Sequence, residues 1–167
     1  INIYPYYAES AEFKKVLDER KDFNALYLQA GWNYYVWKDY DSAFRIFNTS
    51  LTKNKDDWDA LMGIGYTYYQ YKVYDKSITN LEASLKLNSE SKKIKESISV
   101  AGIYGEFLIE SDAKSTLAWC YYNKENYDKA VELFKETIAK HSDWVDAHDG
   151  LAWCYYIKKD LKSASDV

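Results

Sequence analysis

Cys120 and Cys154 are the two thiols of the chain, 34 residues apart and each immediately before a Tyr-Tyr pair. A disulfide needs Cα atoms within about 7 Å, whereas equivalent positions of adjacent helical units lie on the order of 10 Å or more apart. The pair therefore reads as two small buried hydrophobes, which fits a reducing compartment. His141 and His148, the two histidines, lack the Cys or carboxylate constellation that would complete a metal site. The sequence holds no phosphate-cradling glycine loop and no nucleophile elbow. Its carboxylates are spread singly at helical spacing, with nothing to pair them in an apolar pocket. Asn48-Thr49-Ser50 spells a glycosylation sequon, but it lies mid-helix beside the core residue Phe47. No enzyme, metal or cofactor is expected. What the residues do offer is aromatic: 18 Tyr and 6 Trp bring the aromatic share to 18%. The chemistry of such rings is apolar contact, stacking and one hydrogen bond at the ring edge.

The elements that position these rings follow from composition and pattern. A chain of 167 residues, 47% hydrophobic and 29% charged, is long enough for one folded domain with a continuous core. A single proline (Pro5) and six glycines leave little material for tight turns, which favours helices over a many-stranded sheet. The net charge of −4 and pI near 5.3 argue against nucleic acid or an anionic membrane as the partner. The one basic knot, Lys92, Lys93 and Lys95, has Glu90 and Glu96 beside it and reads as a solvated helix face. No window approaches the ~18 consecutive apolar residues of a membrane span. The chain starts at Ile1 without a signal-peptide pattern and stops inside a helical pattern, so it reads as a piece of a longer protein. The compartment stays open, with the cytoplasm favoured.

Self-similarity organises the chain. GWNYYVWKDYDSAF from Gly31, GYTYYQYKVYDKSI from Gly65, AWCYYNKENYDKAV from Ala118 and AWCYYIKKDLKSAS from Ala152 align without gaps, and the step is 34 residues within each pair. Each segment has a small residue, an aromatic, a Tyr-Tyr pair and a short polar break, usually ending in Tyr-Asp. A second small residue follows (Ala43, Ser77, Ala130, Ala164), and a bulky apolar one comes four later (Phe47, Leu81, Phe134). Tyr27, Ala30, Gly31 and Tyr34 form one helical stripe; Ala43, Phe47, Ser50 and Leu51 form another. Gly31 and Ala43 let the two helices approach closely, Lys38 and Asp39 supply the turn, and stacking the next hairpin completes the core.

This 34-residue unit resembles the tetratricopeptide repeat. The resemblance is carried in the first unit by Tyr27, Ala30-Gly31, Tyr34, Tyr40-x-x-Ala43, Phe47 and Ser50. In the second it is carried by Leu61, Ile64-Gly65, Tyr68, Tyr74-x-x-Ser77, Leu81 and Ser84. The third matches from Leu117-Ala118 through Tyr121, Tyr127-x-x-Ala130 and Phe134, with Lys114 where a large residue belongs. The fourth matches Leu151-Ala152 and Tyr155. The proline usual at the end of the unit is absent throughout. The resemblance implies an all-α fold, a right-handed superhelical stack of antiparallel helix hairpins. The units span 24–57, 58–91, 111–144 and 145–167 of one domain, and Glu9 to Arg20 forms a lone helix before them. Residues 92–110 are an insertion, expected as a widened connection or extra helix that splits the array into halves.

In such stacks the first helix of each unit lines the concave surface. With Tyr27, Gly31 and Tyr34 facing the second helix, Leu28, Trp32 and Tyr35 are expected in the groove. Their equivalents are Met62, Tyr66 and Tyr69; Ser115, Trp119 and Tyr122; and Asp149, Trp153 and Tyr156. The second Tyr of each pair also has a plain packing role against the neighbouring hairpin. The family often has Asn where this chain has Trp32, Tyr66, Trp119 and Trp153. An aromatic ladder of this kind suits a peptide or partner helix, and the expected function is a protein-interaction scaffold holding its partner along the groove. The alternatives are a carbohydrate-binding array, as in relatives that guide polysaccharide export, and a self-assembling module. The carboxylate clamp known in this family needs Lys, Asn or Arg where this chain has Leu28, Met62, Ser115 and Asp149. With Asp59, Asp112, Asp146 and Asp149 near the rim, basic or neutral ligands are preferred.

Overall fold

A computed structural model describes residues 24–90 and 106–160. The described residues form seven helices and no strand: α1 (Asn24–Val36), α2 (Tyr40–Lys53), α3 (Trp58–Gln70), α4 (Tyr74–Glu90), α5 (Glu106–Asn123), α6 (Tyr127–Lys140) and α7 (Val145–Ile157). Each helix packs on its sequence neighbour, and the odd-numbered helices also touch one another, as in an all-α stack of hairpins. The helix expected over Glu9 to Arg20, the Lys92–Lys95 cluster and Ala164 lie outside the described residues.

The turn inside each hairpin has one construction, repeated four times. Lys38, Lys72, Glu125 and Lys159 sit in the left-handed region at φ 60–63°. After each of them the chain closes back on the Tyr-Tyr pair. Lys38 N–H donates to the Tyr35 carbonyl and Asp39 N–H to that of Tyr34, both at 2.9 Å. The same two bonds recur from Lys72 and Val73, from Glu125 and Asn126, and from Lys159 and Asp160. This double closure satisfies helix-terminal carbonyls that would otherwise be orphaned. The next helix then starts on a side-chain cap: Asp39 accepts from Ser42 N–H at 3.2 Å and Asn126 from Lys129 N–H at 3.3 Å. Lys38 and Asp39 thus act as the turn and the cap.

Packing between helices turns on glycine and one bulky ring. A Cβ on Gly31 would come within 2.7 Å of Phe47, so α1 and α2 touch where the sequence suggested. A Cβ on Gly63 would lie 2.4 Å from the same ring, and one on Gly150 would lie 2.2 Å from Phe134. The ring of one unit's second helix is therefore seated against bare backbone of the following unit. Buried hydroxyls bond locally: Ser77 Oγ donates to the Gly65 carbonyl at 2.8 Å and Ser84 Oγ to that of Trp58 at 2.6 Å.

The insertion does not split the stack. Residues 106–110 are already the start of α5, α4 packs on α5, and one apolar cluster runs from Met62 to Cys154. The Cys120 thiol reaches Ser77 Oγ at 3.2 Å across this junction. The contacts that join two units are made by the repeat positions themselves, so extra residues between α4 and α5 leave the junction in register.

Candidate functional site

The predicted ladder has two structural fates. Leu28, Met62 and Tyr66 are 6%, 1% and 6% exposed, and Ser115 is likewise buried, so none of these four projects into a groove. Trp32, Tyr35, Tyr69, Trp119 and Tyr122 are half-buried between units. Trp153 and Tyr156, on α7, are 54% and 59% exposed, beside the exposed Asp149. The orientation expected for Leu28, Met62 and Tyr66 is thus corrected. In a stack, the face of a first helix that turns away from its own partner is covered by the next unit.

Hydrogen bonds show what the inner rings do. Trp32 Nε1–H donates to Asp59 Oδ1 at 2.7 Å, 27 residues later in sequence. Trp119 Nε1–H donates to Asp146 at 3.0 Å, again 27 residues on, and Ser115 Oγ shares that carboxylate. Tyr66 OH donates to Asp112 at 2.6 Å over 46 residues, the same step lengthened by the insertion. Each described junction therefore has a ring of one unit bonded to an aspartate on the first helix of the next. The rings also meet edge to face. Trp32 lies 5.6 Å from Tyr66 and 5.0 Å from Phe47, and Trp119 lies 5.3 Å from both Phe134 and Tyr122.

Burial sets the electrostatics of this row. Asp59 is pushed up to about 6 by burial, with the Trp32 bond pulling it down and Asp57 adding repulsion. Asp112 is raised for the same first reason; the Tyr66 bond opposes the rise and Asp146 adds to it. Burial lifts Tyr35 and Tyr69 to about 12, so both phenols stay protonated. It also holds the Cys120 and Cys154 thiols near 11, and both side chains are fully buried, as the hydrophobe reading requires.

A second row of bonds, invisible to the motif, ties the C-terminal end of a first helix to the first turn of the preceding unit's second helix. Tyr71 OH donates to Asp41, Lys124 pairs with Asp75 at 2.9 Å, and Lys158 pairs with Asp128. The separations of 30, 49 and 30 residues repeat the unit step plus insertion. That regularity was the signal available in the sequence. The surface of the described residues has an open depression lined by Asp41, Phe44, Arg45, Tyr68 and Tyr71, and another lined by Asp149, Ala152, Trp153 and Tyr156. His148 Nε2 faces the Ser142 carbonyl at 2.9 Å, and the His141 ring packs 6.2 Å from Trp144. Among the described residues no cluster of His, Cys, Asp and Glu could hold a metal ion. No described helix is long and apolar enough to cross a membrane.

Residues 112–143, which span the Asp112 and Trp119 positions and all of α6, match the family model of the tetratricopeptide repeat. Residues 112–143 thus carry a tetratricopeptide repeat, and the described residues have the hairpin-stack fold of such proteins. Solved structures of that fold align along nearly the whole length of the chain. MamA 41-end from Desulfovibrio magneticus RS-1 superposes with a TM-score of 0.69 at 19% identity, covering 98% of this chain and 78% of that one. MamA from AMB-1 gives 0.66 at 19% identity, covering 96% and 84%. The N-terminal domain of stress-induced protein-1 from C. elegans gives 0.58 at 13% identity, covering 84% and 95%. No curated protein sequence matches the chain. Trp32, Tyr66 and Trp119 lie at the joints between successive hairpins, and Trp153 and Tyr156 occupy the equivalent positions on α7.

Proposed function

We propose that this chain is a protein-interaction scaffold that holds a peptide or partner protein on its inner face, centred on α7 and its border with α5. The observation that carries this reading is the hairpin stack itself, in which repeat-equivalent rings (Trp32, Tyr66, Trp119 and Trp153, with Tyr35, Tyr69, Tyr122 and Tyr156) recur on one side of successive first helices. A Trp and a Tyr on a rigid helix present large contact area at low entropic cost. Trp119 and Tyr122 extend the same face, and Asp146 and Asp149 give it negative charge. Trp32, Tyr35, Tyr69, Leu28, Met62 and Tyr66 serve the face indirectly, by fixing how each unit sits on the next.

The test is affinity capture from the source cells with the wild-type chain and with the Trp153→Ala/Tyr156→Ala variant. Both side chains are exposed, so the variant should keep its helical circular dichroism and melting temperature. The expected result is a partner retained by the wild type and lost by the variant. Identical captures would move the binding surface elsewhere on the molecule. Oligosaccharide titration and sedimentation of the chain alone would then decide between glycan binding and self-assembly.

A further inference from the structure

Charge is shared unevenly between the two kinds of helix. α1 has no charged residue, α3 has Asp59 alone, and α7 has Asp146 and Asp149 beside His148. Lys114 of α5 is the one Lys or Arg in the four first helices, and it pairs with Glu110 and, at 2.9 Å, with Glu136 of α6. The other described lysines and Arg45 lie on second helices and in turns. First helices touch one another from unit to unit, whereas second helices do not pack on each other to that extent, so the first helices form the inside of the curve. The inner face is therefore aromatic and acidic, with the basic residues outside it or turned away from it.

Two acids of that face lack a counter-charge. Elsewhere the chain pairs its carboxylates: Asp75 with Lys124, Asp128 with Lys158, Glu110 with Lys140. Asp112 and Asp146 are exposed and accept only from uncharged groups, Tyr66 OH for the first, Trp119 Nε1–H and Ser115 Oγ for the second. No lysine or arginine among the described residues pairs with either. Asp112 sits mid-array, between α3 and α7, so its exposure belongs to the interior of the stack. Each carboxylate also acts on a ring two units back. Burial foremost, and Asp112 to a lesser degree, raises the Tyr35 phenol; burial foremost, and Asp146 to a lesser degree, raises that of Tyr69. The same seat, a carboxylate bonded by one ring and facing another, thus occurs twice, one unit apart. The two acids repel each other, and a cation at either seat relieves that repulsion.

We propose that the inner face over α5 and α7 receives an extended basic peptide, with one cationic side chain seated at Asp112 and a second at Asp146. This rests on the scaffold reading and adds the chemistry of the partner. Packed helices lie about 8–10 Å apart, and a polyproline II chain brings residues i and i+3 onto one face about 9 Å apart. Two cations three residues apart therefore match two seats one unit apart. Arginine suits the seats better than lysine because its planar head stacks on a ring and forks to a carboxylate at once.

The probe is the capped tetrapeptide Arg-Pro-Pro-Arg, titrated in the millimolar range into the intact chain at low salt. Its counterpart carries citrulline at both ends, which keeps the shape and loses the charges. The first readout is the Trp119 indole N–H resonance of the wild type, since that proton rests on the Asp146 carboxylate. The second is the affinity of two variants. Asp112→Asn/Asp146→Asn keeps an acceptor oxygen for each ring, and Asp75→Asn/Asp128→Asn removes the same charge from exposed acids outside the inner face. The expected result is a saturable shift of the Trp119 resonance with the arginine peptide. Binding should be at least fivefold weaker for the citrulline peptide and for the inner variant, and within twofold of wild type for the outer one. A Trp119 resonance left in place, equal binding of the two peptides, or equal losses in the two variants would overturn the seats. The resonance and the peptide pair are read in the wild type, so they decide even where the inner variant fails to fold. The scaffold reading is judged separately, since capture lost with Trp153→Ala/Tyr156→Ala would stand even where the arginine peptide fails.

Discussion

Asp59 is the residue at which chemistry and architecture meet. Its carboxyl titrates near 6 in the fold against 3.8 for a free side chain, because burial disfavours the charged form. The folded chain therefore holds this proton more tightly than the unfolded chain. Its contribution to stability is most favourable below about pH 4, is lost as pH rises toward 6, and changes little above that. The loss is about 1–3 kcal/mol. Asp59→Asn keeps an oxygen for the Trp32 indole and removes the charge. Urea melts should show the variant more stable than wild type at pH 7, with the gap closing by pH 4. A variant less stable at pH 7 would mean that the ionised carboxylate gains more from the indole than burial costs it.

The repeated turn sets the expectations for whole elements. Lys38, Lys72, Glu125 and Lys159 are held at positive φ, which costs a side-chain-bearing residue about 1 kcal/mol. Glycine removes that cost and loses some of the gain to the freedom of the unfolded chain. Lys38→Gly should therefore raise stability by about 0.3–1 kcal/mol, and Lys72→Gly should add to it, as read in denaturant midpoints. The helix faces give the opposite expectation for Gly150→Ala. A methyl there would meet the fully buried Phe134 ring at 2.2 Å, and α6 and α7 would have to part. A loss of about 1–3 kcal/mol is expected, visible as a lower melting temperature.

The hairpins were legible because spacing is local: Gly31, Tyr34, Ala43 and Phe47 report contacts within one unit, and a 34-residue echo reports stacking. The side facing the next unit was not legible to the same degree. A first helix is apolar both toward its own partner and toward its neighbour, so periodicity alone could not show that Met62 and Tyr66 are covered. The 27-residue Trp-to-Asp step was present in the sequence, but it becomes readable only once a ring and a carboxylate are seen to meet.

At the scale of the molecule, the units form a nearly one-dimensional chain of neighbours, and its two edges are stitched differently. At one edge the Trp32–Asp59 and Tyr66–Asp112 bonds are partly buried. At the other, Lys124–Asp75 and Lys158–Asp128 are ion pairs open to solvent. Added salt screens the second set and scarcely touches the first. Raised ionic strength is therefore expected to weaken Lys124–Asp75 and Lys158–Asp128 first, and only by a small amount, while the bonds from Trp32 and Tyr66 persist.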